Sequence, residues 1–281
     1  MTRSLRPTLS QVWNVVEELW PAALAESWDA VGPVTGRPEQ EISNIVFAVD
    51  PVEAVVNDAV ERGADLLITH HPLMLRGVNS VAASGFKGRV LHTLIENRVA
   101  LLTAHTNGDS AIGGVSDVLI RSLGVEDSLP LAPSSGGLPG EGIGRVGDLA
   151  QPVPLAELAE RAYAVLPSVA GGVRVAGDPA ALVRRVAVCG GAGDSLFDAV
   201  RASGADVYVT ADLRHHPASE AREAAAGGTP YLVDVSHFAS EWLWLGSAAG
   251  LLHRALEDQG FDVQVAVSGV NSDPWDFILV P

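Results

Sequence analysis

Residues 44–69 read NIVFAVDPVEAVVNDAVERGADLLIT, and residues 185–210 read RVAVCGGAGDSLFDAVRASGADVYVT. The two align without gaps. Each opens on an apolar, strand-like run (Ile45–Val49, Val186–Cys189) and continues through a helix-like stretch (Val52–Glu61, Asp194–Ala202). Each then turns at Gly-Ala-Asp (Gly63-Ala64-Asp65, Gly204-Ala205-Asp206) and closes on a second apolar strand ending in Thr69 or Thr210. Strand, helix, strand at this length is a βαβ unit, which favours parallel pairing. Its repetition predicts an α/β fold of two similar lobes related by internal duplication. Alanine-rich α/β segments can also converge on such a pattern without common descent.

Working outward, further strands are expected at Val99–Ala104, Gly144–Leu149, Gly172–Val175, Tyr231–Val235, Val263–Val267 and Phe277–Val280. Helices are expected at Leu9–Leu19, Gly88–Asn97, Val115–Leu123, Leu155–Leu166, Pro217–Ala226 and Ser240–Asp258. The alternation is that of an α/β protein. The Pro/Ser/Gly-rich stretch Pro130–Gly144 reads as a linker. Lobe one then covers residues 1–129 and lobe two residues 145–281, with the C-terminal part returning to the functional site.

A chain of 281 residues suits one large domain or two lobes sharing a core. Lys and Arg number 18 against 34 Asp and Glu, a formal net charge of -16. That field repels a phosphate backbone, which argues against general nucleic-acid binding. Lys87 is the only lysine, which leaves little for a lysine-rich nucleotide cradle. Cys189 stands alone, so an internal disulfide and a cysteine-based zinc site are both excluded. Met1–Pro7 carries no apolar leader, and no run of about 18 apolar residues is present. A cytoplasmic protein that spans no membrane is the expectation.

Three polar clusters each follow a predicted strand, where ligand sites gather in parallel α/β sheets. The first is Thr69-His70-His71-Pro72. Adjacent imidazoles project in different directions and can serve two metals, although a pair of histidines in an ordinary loop reads the same way. The second is His105-Thr106-Asn107-Gly108-Asp109, where Asp109 offers a carboxylate or caps the following segment. The third is His237-Phe238-Ala239-Ser240-Glu241. Its His and Glu share one helix face at i, i+4, and a carboxylate can bridge two cations. A capped helix with Glu241 favoured by the dipole is the plainer reading. Together the clusters supply a mixed nitrogen and oxygen donor set, without thiolate, that suits a two-metal centre with open positions.

These motifs resemble the Nif-three-like dinuclear-metal proteins, also called GTP cyclohydrolase I type 2 homologs. Trp28-Asp29-Ala30-Val31-Gly32, Thr69-His70-His71-Pro72-Leu73, His105-Thr106-Asn107-Gly108-Asp109, Gly204-Ala205-Asp206 with Thr210, His237 with Glu241, and Asp273-Pro274-Trp275 carry the likeness from end to end. The resemblance implies metal ligation by His70, His71, Asp109, His237 and Glu241, with Glu241 bridging two divalent ions (Zn, Fe, Mn, Co or Ni). It also implies a Nif-three-like fold, a toroidal homohexamer with sites facing an internal cavity, and hydrolysis of a small-molecule substrate. The chain departs from the family pattern at Ala211, at Ser236 and at Ala30 and Pro33, none of which is a ligand position.

His105 and His216 are the candidate proton-transfer groups, with Asp212 as a support for His216. A solvated or outer-shell histidine is the alternative for each. His92, His215 and His253 read as structural, and Trp13, Trp20, Trp242 and Trp244 read as packing residues. The run Gly190-Gly191-Ala192-Gly193 is compatible with phosphate at a helix N-terminus but lacks the lysine of a P-loop. A metal-dependent hydrolase is the leading expectation, and a non-catalytic metal carrier or hexameric scaffold the rival. An interaction module acting on transcription factors draws no support from these residues.

Overall fold

Both repeats fold as the strand–helix–strand units that their sequences imply, in a computed structural model that describes residues 5–280. Of the N-terminal stretch Met1–Pro7, the first four residues lie outside it. The chain divides into two compact units. One runs to Ala111 and takes up Leu245–Ser272; the other comprises Ile112–Trp244 and the residues from Asp273 onward.

In chain order the first unit holds α1 (Leu9–Leu19), β1 (Gly32–Thr35), β2 (Asn44–Ala48), α2 (Glu53–Glu61), β3 (Leu66–Thr69), α3 (Phe86–Glu96), β4 (Ala100–Thr103) and α4 (Thr106–Ser110). The second holds α5 (Val115–Ser122), β5 (Ser128–Pro133), β6 (Gly142–Pro154), α6 (Leu155–Val165), β7 (Arg174–Ala176), β8 (Leu182–Ala192), α7 (Phe197–Ser203), β9 (Val207–Ala211), α8 (His215–Ala224) and β10 (Tyr231–Val235). The long helix α9 (His237–Asp258) begins in the second unit and ends in the first, where β11 (Gln264–Val267) follows.

The sheets are β1-β4-β3-β2-β11 and β7-β10-β9-β8-β6-β5. In each, a parallel run ends against one antiparallel edge strand: β11, β2, β3, β4 with β1, and β8, β9, β10 with β7. Ile45 pairs with Leu66 in one sheet and Val186 with Val207 in the other, so the repeats share one register. The Gly-Ala-Asp turn explains why. Gly63 and Gly204 take φ of +66° and +69°, the left-handed conformation that ends a helix at low cost. The following aspartate then ties down the backbone of the neighbouring strand, at the start of β2 and within β8. Asp65 Oδ2 accepts from the backbone N–H of Ser43 and Asn44, and Asp206 Oδ2 accepts from Arg184 and Arg185, all at 2.8–3.0 Å. Every residue of β3, β4 and β9 is buried, as expected for parallel strands covered on both faces. Val46, Val56, Leu67 and Leu94 anchor one core, and Leu119, Val186, Val207 and Val233 anchor the other.

Three expectations are corrected. The expected linker Pro130–Gly144 is built into a hairpin: β5 pairs antiparallel with β6, from Ser128 opposite Gly147 to Pro133 opposite Gly142. Pro130 and Pro133 are tolerated because β5 is the sheet edge, where a missing N–H need not break the ladder. The division between units falls at Ala111/Ile112, and Leu245–Ser272 joins the first unit because β11 pairs in parallel with β2. Finally, Phe277–Val280 forms no strand. Among the described residues, no helix is long and apolar enough to cross a membrane.

Candidate metal centre

In the first unit the pairing of β3 with β2 continues past the end of β3. His70 N–H donates to Ala48 O at 3.1 Å and His71 N–H to Val49 O at 2.8 Å, which fixes the backbone of both histidines. The His70 side chain is buried, and its Nδ1 lies 2.9 Å from Ala104 O. A carbonyl only accepts, so Nδ1 carries the proton and Nε2 carries the lone pair. That Nε2 is 3.8 Å from Oδ1 of Asp109, which α4 presents one turn after His105. His71 Nδ1 is 2.7 Å from Asp50 Oδ1, and the other oxygen of Asp50 accepts from Ser272 Oγ.

His105 stands at the start of α4, with Nδ1 2.8 Å from Asp29 Oδ1. Asp29 Oδ2 accepts from Thr106 N–H at 3.0 Å and from the Thr106 hydroxyl. Burial disfavours ionisation of Asp29, but the hydrogen bonds from His105 and Thr106, with the charge of His105, outweigh it. The carboxyl is held well below the ordinary range. Ring nitrogens of His70, His71 and His105 lie within 4.8 Å of one another, a group able to hold a metal ion. His105 therefore stands beside the two expected ligands as a further nitrogen donor.

In the second unit β10 ends at Val235, and His237 opens α9. Glu241 follows one turn later, and its Oε1 is 2.9 Å from His237 Nε2. His237 Nδ1 lies 2.7 Å from Asp212 Oδ2. Asp212, read from sequence as a support for His216, thus serves His237. His216 is exposed in the first turn of α8 and packs edge-to-face on His215. The glycine run at the end of β8 permits close packing. A Cβ on Gly191 would stand 2.5 Å from Glu241 Oε1 and 3.2 Å from His237 Nε2, and one on Gly193 would stand 2.1 Å from Tyr208 Oη. Gly191 N–H donates to Ser240 Oγ at 2.9 Å, and Ser240 Oγ donates to His237 O at 2.8 Å, so strand end and helix start are locked together.

The donor set fits a divalent ion. His70, His71, His105 and His237 all engage an oxygen through Nδ1, one carbonyl and three carboxylates. That outer bond selects the tautomer whose Nε2 carries the lone pair, the usual arrangement behind a metal-bound imidazole. Imidazole and carboxylate donors without thiolate suit Zn, Fe, Mn, Co or Ni.

The profile of the family Duf34/NIF3 (NGG1p interacting factor 3) matches residues 7–274. The chain belongs to the DUF34/NIF3 family. A relative from Streptomyces coelicolor, named GTP cyclohydrolase 1 type 2 homolog, is 54% identical over 270 residues, covering 96% of this chain and 94% of its own. A Bacillus cereus protein related to NIF3 superposes with a TM-score of 0.88 at 24% identity, covering 98% of this chain and 100% of the other. A hypothetical protein from Staphylococcus aureus gives 0.87 at 25% identity with the same coverage. The two-lobed α/β architecture read from the repeat is the NIF3 fold. In this NIF3 chain Asp29 and Asp50 are partners of the histidines that no motif spacing reveals; Asp29 belongs to the Trp28-Asp29 motif, and Asp50 stands just after an expected strand, which is the signal the sequence carries.

Proposed function

We propose that this NIF3-family chain is a metal-dependent hydrolase that holds two divalent ions through His70, His71, Asp109, His237 and Glu241. The observation that supports it most is the common anchoring of His70, His71 and His237 through Nδ1, which leaves Nε2 as the donor in each. When bound, divalent ions polarise a substrate oxygen and lower the pKa of water.

The chain's own groups supply positioning and proton handling. Asp50 and Asp212 orient His71 and His237. His105 is the proposed proton carrier. Asp29 stays ionised at neutral pH and holds the His105 ring with Nε2 outward, as a general acid–base requires. His216, exposed on α8, is not needed in this scheme. The name of the Streptomyces coelicolor relative makes GTP the first substrate to assay.

The test is metal content by elemental analysis together with hydrolysis of GTP and a nucleotide panel. The native chain, Glu241→Ala and His105→Gln are compared. Two ions per native chain, a sharp drop in Glu241→Ala, and a His105→Gln variant that keeps its metal but loses turnover would support the hydrolase. Turnover unchanged in His105→Gln would remove His105 from proton transfer. A native chain that holds two ions and hydrolyses nothing would favour a metal carrier.

A further inference from the structure

Of the three tryptophans in the first unit, only Trp28 is left in the open by the fold. Trp20 is buried and Trp13 half-buried, whereas Trp28 is 57% exposed. The loop that carries it is nevertheless fixed. Glu26 N–H donates to Thr106 Oγ1 at 2.9 Å, and Asp29 N–H donates to Glu26 O at 2.9 Å. The buried Asp29 carboxylate is held in turn by Thr106 N–H and His105. These bonds, on either side of Trp28, fasten the loop to the start of α4, and none of them uses the indole. A small polar residue at position 28 would leave them all in place, so holding the loop does not account for the ring.

The loop also borders the candidate metal centre. Gly32, four residues on, opens β1 opposite Thr103 at the end of β4. Residues 26–31 therefore lie at the strand ends, where ligand sites gather in parallel sheets. The Trp28 ring meets the His105 ring edge-to-face, with centroids 5.9 Å apart and planes at 77°. The His105 ring is in turn 5.1 Å from that of His70 and 5.4 Å from that of His71. The indole thus stands one ring away from two of the proposed ligands. An edge-to-face contact occupies at most one face of an indole, so the other is open to a stacking partner.

We infer that Trp28 is the stacking platform for a flat, purine-sized heteroaromatic ring in the substrate. The assignment rests on the site proposed above taking a small molecule, names the class of that molecule, and does not depend on turnover. An indole face and a heteroaromatic ring cover each other fully, and such a stack tolerates any base because every base has a π-face. The charges favour a ring over phosphate groups as the recognised part. Lys87 is the only lysine in a chain of net charge -16, and Asp29, Asp50 and Asp109 stand among the histidines. A neutral ring meets no repulsion from these carboxylates, whereas a polyphosphate does. A ring stacked on Trp28 lies beside His105, the proposed proton carrier.

Isothermal titration calorimetry of guanosine, adenosine and pterin tests this on the full-length native chain, Trp28→Ala and Trp28→Phe, with ribose 5-phosphate as the ringless control. At least one heterocycle should bind the native chain and quench its tryptophan fluorescence. Trp28→Ala should weaken that binding by about 5- to 150-fold, the worth of one base–aromatic stack, and remove most of the quench. Trp28→Phe should restore most of the affinity. Metal content should be equal in the three chains, and ribose 5-phosphate should not distinguish them. Binding is read without turnover, so a native chain that binds a heterocycle through Trp28 but hydrolyses nothing would support the platform and count against the hydrolase. No heterocycle bound by the native chain, equal affinity in Trp28→Ala, or an equal loss of ribose 5-phosphate binding would each overturn the inference.

Discussion

Asp212 takes the Nδ1–H of His237 at 2.7 Å while its own backbone sits at φ +56°, in the left-handed region. Aspartate is among the few residues with a side chain that occupy this region at modest cost. The strain aims a carboxylate at the back of a histidine whose Nε2 meets Glu241. Outer partners of this kind typically contribute ten- to a hundredfold to metal affinity. Asp212→Ala is therefore expected to weaken the tighter divalent site by about 10–100-fold, with Asp212→Asn in between because an amide oxygen still accepts. Competition titration against a chromogenic chelator measures this. Equal affinity in Asp212→Ala and the native chain would mean that His237 is oriented by other contacts.

Gly191 and Gly204 separate backbone strain from crowding. Both have positive φ, +68° and +69°. A Cβ on Gly204 meets nothing within 4 Å, whereas one on Gly191 would collide with Glu241 and His237. Gly204→Ala should cost about 1–2 kcal/mol of stability from the left-handed conformation alone and leave metal content unchanged. Gly191→Ala should cost at least as much and also lose metal, because Glu241 and His237 must move. Urea unfolding and elemental analysis of the two variants provide the comparison. Metal retained in full by Gly191→Ala would show that the wall beside Glu241 can yield.

These contrasts bear on what the sequence could disclose. Positions that follow from local periodicity were legible: the two repeats, the strand ends carrying His70, His71, His105 and His237, and the i, i+4 pairing of His237 with Glu241. The partners that orient them were not, because the chain brings them from afar. Asp29 and His105 are 76 positions apart and Asp212 and His237 are 25 apart, so no spacing rule connects them. The repeat also hides a divergence of role. The residue six positions into each segment is Asp50 in one and Gly191 in the other. The first holds His71, and the second clears space for Glu241. Pro130–Gly144 misled because composition reports flexibility, whereas edge position decides whether a proline can remain in a strand.

Arg145 is almost fully buried and binds Asp117 through two parallel hydrogen bonds of 2.8 Å. It also donates to the carbonyls of Gly142 and Gly144, so one guanidinium secures the start of β6 to α5. Removing one member of such a pair strands a buried charge, at about 3–5 kcal/mol, while replacing both with apolar groups can be nearly neutral. Asp117→Leu should therefore fall by about that amount in urea unfolding, and Asp117→Leu/Arg145→Met should recover most of it. A double variant no more stable than the single would show that the arginine's carbonyl contacts matter more than its charge pairing.

Asp58 on α2 accepts from Ser268 Oγ at 2.7 Å and from Arg62 Nε at 2.9 Å, tying the segment after β11 back to the helix. Burial raises its pKa, but the bonds from Ser268 and Arg62 and the charge of Arg62 outweigh that, so the carboxyl lies below its ordinary value of 3.8. A carboxyl depressed in the folded state binds fewer protons there than in the unfolded chain. Its contribution is complete above the unfolded value and drains away as pH falls through the folded one. Stability contributed by this group should thus be constant from pH 7 to about 5 and decline below about 4. Ser268→Ala removes one of the depressing bonds, so it should lower stability at pH 7 and shrink the loss between pH 5 and pH 3. Urea midpoints at pH 7, 5 and 3 measure both effects. Parallel curves for the native and Ser268→Ala chains would show that Arg62 alone holds the carboxylate in its charged form.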